Sequence, residues 1–302
     1  MKEKKMLVDY LKVYYHYYDE ATNTVREGLY CIHKILEAIE KIPVNKRLVG
    51  CRGETARLQS LIHVGDIWEM QFLRIRKEYT TGVAKDDGSY KRMPLQDDEG
   101  LGESVSAIYD KSNCALIIER NRDSVMPSDI LDYFQKVASD NKILFKPIVV
   151  NKDLQRFNEK SIYRTLEIGF ADLHKESLVK SKVNGLANII NGLKDFDAVN
   201  ARIIITVGQN KKTQSLEKLF TKQSAEELMG NANINRLRLH ARATADDNVE
   251  KIDLIENRLK DCCNFKYTRE EDPADTHKRV LAIIWQSYLK NKPIVDRVGV
   301  GR

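Results

Sequence analysis

The feature of this sequence that most constrains its fold is an alternation of apolar and polar residues over residues 57–77. The segments RLQSLIHV and IWEMQFLRIRK flank Gly65 and Asp66, a pair typical of a tight turn. In the second segment, Trp68, Met70 and Phe72 fall on one face of an extended strand, and polar residues fall on the other. The pattern predicts an antiparallel hairpin that is buried on one face.

Similar alternation recurs along the rest of the chain. It predicts strands at 7–18, 104–110, 114–121, 143–150, 161–173, 201–208, 234–243 and 249–256, the last continuing into CNFKYT. Helical periodicity predicts helices near 24–41, 128–140 with Ser128 as N-cap, 184–196, 213–230 and from Pro273 onward. This order of elements indicates an α+β protein with two mixed, mainly antiparallel sheets, flanking helices and a C-terminal helix. A polar stretch near 151–160 suggests two domains, residues 1–150 and 151–302.

The charge of the chain is unevenly distributed. Residues 1–150 contain 23 basic and 23 acidic residues, whereas residues 151–302 contain 27 and 21, which accounts for the whole net charge of +6. Residues 180–242 alone contain 11 basic and 5 acidic residues. A neutral half joined to a basic segment favours an anionic partner for the C-terminal domain. The alternative is an ordinary solvated surface.

The sharpest local pattern is a stripe of cationic residues, Arg236, Arg238, His240 and Arg242, that alternates with small or apolar residues. In a strand these four side chains share one face, about 6.5 Å apart. This spacing suits contacts to successive phosphates of a nucleic acid without reading of its bases. The alternative is that the stripe pairs with acidic side chains on a neighbouring strand, with Glu250, Asp253 and Glu256 as candidates.

Six lysines precede the stripe in sequence. They are Lys180, Lys182, Lys211, Lys212, Lys218 and Lys222. The last two are spaced by four residues and therefore share one face of the predicted helix. Their density next to the stripe makes them candidate phosphate contacts, although loop lysines are usually only solvated.

A cluster of acidic residues, Asp97, Asp98, Glu99 and Glu103, is the main candidate for a metal site. The sequence contains no lysine element nearby of the kind a nuclease uses, so an acidic turn between strands is the favoured interpretation. Arg120 and Arg122 could bind an anion or pair with this turn, and pairing is the favoured interpretation. The chain has no nucleophile elbow, phosphate loop or zinc-ligand spacing, so the sequence predicts no catalytic residues, no metal and no cofactor.

Cysteine usage and hydropathy bear on the compartment. The five cysteines match no zinc pattern and are expected to be reduced thiols. No apolar run approaches the roughly 20 residues of a membrane-spanning helix. We therefore expect a cytoplasmic protein without a membrane span.

Four segments carry a resemblance to a known family. LQDDEGLGESVSAIYD (95–110) followed by LIIERNRDSVMPSDILDYF (116–134) resembles the acidic turn, short strand, arginine tract and helix start of the RexA phage-exclusion proteins of lambdoid phages. FKPIVV and YRTLEIGFADLHK resemble their next strand and the crossing into a second domain. Architecture is more loosely similar to KwaB of the Kiwa defence system. The resemblance implies a two-domain α+β homodimer that binds DNA with little sequence preference.

Together these observations predict a non-enzymatic, largely sequence-nonspecific duplex-DNA-binding component of an anti-phage system. One alternative is a metal-dependent nuclease that uses the acidic cluster. Another is an adaptor that binds a phage protein or a second defence-system protein, with the basic surface incidental.

Overall fold

A computed structural model describes most of the chain. The described residues are 2–20, 23–51, 54–77, 82–150, 159–170, 184–196, 199–208, 214–229, 234–255, 258–268 and 270–298. Within these ranges the protein is α+β, with fifteen strands and five α-helices, including a C-terminal helix, as the sequence predicts. No helix in the described ranges is both long enough and apolar enough to span a membrane.

The chain divides into two compact units. The terminal unit consists of Met1–Leu144 together with Lys260–Arg302, and the insert unit consists of Phe145–Leu259. The predicted division into 1–150 and 151–302 therefore needs correction at its C-terminal end. The physical reason is strand pairing: residues 260–267 pair with the first strand of the chain instead of continuing the sheet of the insert unit.

The terminal unit is built on a nine-stranded sheet with the order β10-β1-β9-β8-β5-β4-β3, in which β15 and β2 also pair with β1. Its strands are β1 (Lys2–Asp19), β2 (Thr24–Leu29), β3 (Leu48–Cys51), β4 (Glu54–Val64), β5 (Ile67–Arg76), β8 (Leu101–Asp110), β9 (Ala115–Arg120), β10 (Ile143–Pro147) and β15 (Lys260–Tyr267). Of β10, Ile143 and Leu144 belong to the terminal unit. A separate hairpin contains β6 (Gly82–Ala84) and β7 (Tyr90–Arg92). Helices α1 (His33–Glu40), α2 (Pro127–Ala138) and α5 (Pro273–Arg297) complete the unit.

The predicted hairpin is formed by β4 and β5. Gly65 occupies the left-handed region with φ of 63°, which a residue without Cβ adopts at little cost. Trp68, Met70 and Phe72 are fully buried. The Phe72 ring meets the ring of Tyr133 in α2 edge to face, with centroids 5.5 Å apart. The apolar face of β5 is thus covered by a helix, which confirms the interpretation of the alternation.

Two local predictions were wrong. The helix predicted over 24–41 is replaced by β2 and the shorter α1, because Thr24–Leu29 pairs with the aromatic end of β1. The N-cap of α2 is Met126 and not Ser128. Pro127 takes the first helical position, where its missing N–H costs nothing, and the Asp129 carboxylate accepts the Met126 N–H at 3.0 Å.

Helix α5 packs on the sheet of the terminal unit through an apolar stripe and a set of polar contacts. Asp272 caps its start by accepting the Ala274 N–H at 2.7 Å. The Trp285 Nε1–H donates to Glu69 at 2.8 Å, and the Tyr288 hydroxyl donates to Asp110. Because buried polar groups must find partners, these contacts fix the rotation and register of the helix on the sheet.

His277 is a buried histidine of α5, where the helix contacts the sheet of the terminal unit. Its Nδ1 lies 2.8 Å from the Ser106 hydroxyl, and the backbone N–H of Ser106 donates to the Glu119 carboxylate at 3.2 Å. Burial lowers the pKa of His277 to about 4, and burial also raises the pKa of Glu119. The fold therefore keeps the imidazole neutral.

We predict that this histidine makes the protein lose stability in mild acid. An unfolded chain binds a proton at His277 below about pH 6.5, whereas the folded chain does so only near pH 4. Stability is fully present above about pH 6.5 and falls as the pH is lowered, by about 2 kcal/mol between pH 7.5 and pH 5 from this group. Urea unfolding of the wild type and of His277→Asn at both pH values measures it.

The variant should show the smaller loss. Glu119 contributes with the opposite sign, but it is present in both proteins and cancels in the comparison. An equal pH dependence of the two unfolding free energies would contradict the assignment.

Candidate nucleic-acid interface

The insert unit contains a four-stranded sheet with the order β12-β11-β13-β14. Its elements are β11 (Ile162–Phe170), α3 (Asn184–Lys194), β12 (Ala201–Thr206), α4 (Lys218–Met229), β13 (Ile234–Arg242) and β14 (Glu250–Asp253). Leu237, Leu239 and Ala241 of β13 are fully buried in a core that also contains Ile190 of α3 and Leu228 of α4. Both helices thus cover one face of the sheet, which leaves the opposite face, here called the outer face, to other side chains.

The strand register arranges the outer face as three rows of side chains. The first row is Arg202, Gly169 and Arg236; the second is Ile204, Glu167, Arg238 and Asp253; the third is Thr206, Thr165, His240 and Lys251. Residues directly opposite each other on antiparallel strands point to the same face. The outer face therefore combines four permanent cations and two carboxylates, with a net charge of +2 when His240 is neutral.

Glu167 is the centre of the first ion cluster on this face. Its carboxylate receives the Arg236 guanidinium at 2.9 Å and the Arg202 guanidinium at 2.5 Å. The Glu167 side chain is 8% exposed, whereas those of Arg236 and Arg202 are 37% and 54% exposed. The hydrogen bond from Arg236, aided by the charges of the nearby arginines, lowers the pKa of Glu167. Two arginines thus share one ionised carboxylate and leave a surplus of positive charge.

Gly169 makes this arrangement possible. A Cβ at this position would lie 2.8 Å from the Cβ of Arg236 and 2.6 Å from Oδ1 of Asn235. Any side chain would therefore collide with the neighbouring strand. Because Gly169 leaves this space empty, the Arg236 side chain reaches across β11 toward Glu167.

Arg238 forms the second ion pair of the outer face. Its Nε donates to the Asp253 carboxylate at 2.6 Å. Asp253 is one of the acids that the sequence analysis named as possible partners of the stripe, so intramolecular pairing holds for this arginine. Glu250 pairs instead with Lys160 at 2.9 Å, and Glu256 lies outside the described residues.

The other two members of the stripe differ from each other. His240 stays on the outer face, half-buried between Thr165 and Lys251. Arg242 is only 8% exposed, and its Nη1 contacts the Asp247 carbonyl at 3.5 Å. The last arginine of the stripe therefore turns toward the loop that follows β13 and does not extend the exposed cationic row.

The two candidate lysines that the structure describes do not lie on this face. Lys218 and Lys222 belong to α4, which covers the core face of the sheet, so they lie on the opposite side from Arg236 and Arg238. Lys180, Lys182, Lys211 and Lys212 lie outside the described residues.

Arg202 and Lys251 are members of the outer face that the sequence did not predict. The signal for Arg202 was present, because ARIIIT alternates in the same way as the stripe and its even-numbered side chains are exposed. Its relevance depends on β12 pairing with β11 directly opposite β13. That register is a long-range property, which alternation within one segment does not reveal.

The acidic cluster lies in the terminal unit and is not a compact group. Asp97, Asp98 and Glu99 are exposed in a turn, where Glu99 accepts the Gln96 N–H at 2.9 Å. Glu103 sits on β8 opposite Arg74. Among the residues that the structure describes, no group of three or more His, Cys, Asp or Glu side chains is placed to hold a metal ion.

Arg120 was expected to pair with the acidic turn, and this was wrong. Its Nε donates to the Asp9 carboxylate at 2.7 Å, because β9 pairs with β1 and brings the two side chains together. Arg122, the other arginine of this tract, is exposed.

Comparison with known proteins identifies the family of the chain. The model of a family described as a family of unknown function (DUF6731) matches residues 1–297, and the chain belongs to that family. No curated protein matches the chain.

Proposed function

We propose that this member of the DUF6731 family is a non-enzymatic protein that binds duplex DNA through the outer face of its insert unit, with little sequence preference. The observation that supports this most is the surplus of guanidinium groups around Glu167. Arg202 and Arg236 share a single carboxylate, and both remain partly exposed. Each guanidinium has five N–H donors, so donors remain that could reach a phosphate.

The spacing of the outer face suits a phosphate backbone. Rows are about 6.5–7 Å apart along a strand, and neighbouring strands are about 4.8 Å apart. Phosphates along one strand of duplex DNA are separated by a similar distance. Cations held at these intervals replace condensed counterions, which supplies affinity without dependence on sequence.

The composition of the outer face favours a duplex over unstacked bases. The three rows contain arginine, threonine, histidine, lysine, isoleucine and two acids, and none of the side chains assigned to them is Phe, Tyr or Trp. Proteins that hold single strands usually stack bases on aromatic rings. A flat strand face offers positioning contacts to phosphates and little access to base edges.

The resemblance to phage-exclusion proteins supplies the proposed biological setting. We propose a cytoplasmic component of an anti-phage system that acts as a homodimer; engagement of a second defence-system protein belongs to the adaptor alternative. These statements are supported by the resemblance of residues 95–134, which is independent of the charge of the outer face.

We predict that Arg236→Gln/Arg238→Gln weakens binding to all duplexes about equally. Loss of two phosphate contacts should reduce the slope of log K against log salt by roughly two. Folding should survive, because Leu237 and Leu239 on the core face are unchanged. Fluorescence anisotropy on two unrelated duplexes across a salt series measures both quantities.

A matched control removes the same charge elsewhere. Lys278→Gln/Lys290→Gln neutralises two exposed lysines of α5 in the terminal unit and should leave the slope unchanged. If the arginine variant folds and binds with the wild-type slope, the outer face is an internal ion-pair network and the proposal fails. Cleavage of a plasmid by the wild type in Mg²⁺ or Mn²⁺ would favour the nuclease alternative.

We predict that Glu167→Gln has the opposite effect and tightens binding. The carboxylate competes with phosphate for Arg202 and Arg236, and its removal frees both. One charge at contact distance contributes about 1 kcal/mol in water, which corresponds to roughly fivefold in affinity at low salt. The same anisotropy titration detects it, with a melting curve to verify folding.

The control for this variant is Asp275→Asn, which removes one exposed carboxylate from the start of α5. It should change affinity little. Should Glu167→Gln fail to fold, Asp253→Asn applies the same reasoning to Arg238. Unchanged or weaker DNA binding by a folded variant would argue against phosphate contacts on this face.

We also predict a homodimer in solution. Two outer faces in one particle would double the phosphate contacts available to a single duplex. Light scattering on the purified protein at micromolar concentration should give twice the mass of 34.8 kDa. A monomeric mass with and without DNA would refute this part of the proposal.

A further inference from the structure

Two segments that each carry a cysteine and are far apart in sequence pack together in the terminal unit. Cys31 lies between β2 and α1, and Cys114 ends the turn between β8 and β9. The backbone of Val13 in β1 links their surroundings: its N–H donates to the Cys114 carbonyl at 3.0 Å, and its carbonyl accepts the Tyr30 N–H at 3.0 Å. The segments that carry the two thiols therefore flank the same residue of β1.

Side-chain contacts bring these segments closer still. The Cys31 thiol donates to the carbonyl of Lys111, in the turn that ends at Cys114, with a distance of 3.6 Å. The next residue, Ile32, donates its N–H to the hydroxyl of Tyr109 at 3.1 Å. The junction before α1 is thus packed directly on the β8–β9 turn.

The two thiols differ in burial. Burial, and after it the neighbouring Cys31 thiol, raises the pKa of Cys114 to about 12. Cys114 is 6% exposed, whereas Cys31 is half-buried. Cys31 is therefore the thiol that a reagent in solution reaches first.

A buried lysine accompanies the pair. Lys12 is 1% exposed, and its ammonium donates to the carbonyl of Asn113, next to Cys114, at 2.5 Å. The charge of Lys12 acts on Cys114 in the direction that favours the thiolate. A buried cation beside a thiol provides local stabilisation for a transient thiolate at a position where burial alone would oppose it.

We propose that Cys31 and Cys114 form a reversible redox site, in which a low-molecular-weight disulfide such as oxidised glutathione converts the two thiols into an intrachain disulfide. The proposal does not depend on the DNA-binding function. Cys51 and Cys263 have other neighbours: Cys51 contacts the Asp129 carbonyl at 3.8 Å, and Cys263 contacts the Ser287 hydroxyl at 3.1 Å.

The reaction consists of two thiol–disulfide exchanges. The Cys31 thiolate attacks one sulfur of oxidised glutathione, which forms a mixed disulfide and releases one glutathione thiolate that takes up a proton. Cys114 then loses its proton, and its sulfur attacks the Cys31 sulfur and releases the second glutathione. The two protein thiols are oxidised, and one molecule of oxidised glutathione is reduced to two of glutathione.

The Cys31–Cys114 disulfide would link the segment before α1 to the β8–β9 turn, and the two cysteines are 83 positions apart in the sequence. Closing a long loop restricts the unfolded chain and so stabilises the folded one. We expect oxidation to raise the melting temperature by roughly 5 °C and dithiothreitol to reverse the change.

The test treats the full chain with oxidised glutathione, blocks the remaining thiols with N-ethylmaleimide and identifies disulfides by peptide mass spectrometry. We expect a Cys31–Cys114 link in the wild type and in Cys262→Ser, which removes an exposed thiol outside the pair. Cys114→Ser should stop at the mixed disulfide on Cys31. Cys31→Ser should leave Cys114 as a thiol, because that side chain is buried.

Two outcomes would overturn the proposal. One is a wild type in which Cys262 is glutathionylated while Cys31 and Cys114 both remain thiols. The other is a wild type that accumulates glutathione on Cys31 without the internal link. If Cys114→Ser does not fold, the wild-type link and its loss in Cys31→Ser still decide the question.

Discussion

The pairing of the first strand with the last one is the interaction on which the terminal unit depends. Lys2–Asp9 of β1 runs antiparallel to Lys260–Tyr267 of β15, so the two ends of the chain enter one sheet. This pairing brings α5 onto the same sheet, where Asn291 donates to Asp261 of β15 at 2.6 Å. Because β15 and α5 both belong to the terminal unit, residues 145–259 form a separate compact unit with a hydrophobic core of its own.

The alternation of apolar and polar residues within a strand correctly predicted which face of that strand is buried. The face of Trp68, Met70 and Phe72 and the face of Leu237 and Leu239 are both buried as the period of two requires. The α+β class follows from the same reasoning, because turn signals separate most of these segments. Local pattern also placed Arg236, Arg238 and His240 on one face, and the strand register bears this out.

The pattern of residues within one segment does not show which other segments lie beside it in the fold. Residues 24–29 fit a helix by spacing, yet pairing with the aromatic end of β1 makes them a strand. Arg242 fits the stripe by spacing, yet the loop after β13 draws its guanidinium inward. Lys218 and Lys222 are close to the stripe in sequence and lie on the other side of the sheet. These differences arise from strand pairing, from a loop contact and from the face of the sheet that a helix covers, none of which the spacing of residues within one segment specifies.

The carboxylate of Glu167 explains how a cationic face can exist in the absence of a ligand. Unshielded arginines on adjacent strands repel one another, and directly opposed like charges destabilise a sheet. Gly169 separates Arg202 from Arg236 in their row, and Glu167 in the next row draws both guanidinium groups to one point. The same carboxylate reduces the affinity that the face can offer to a phosphate, because a bound anion must compete with it. Under the proposed function, such a surface would bind phosphates less strongly than unpaired arginines do, and it would suit contacts that form and dissociate readily along a polyanion.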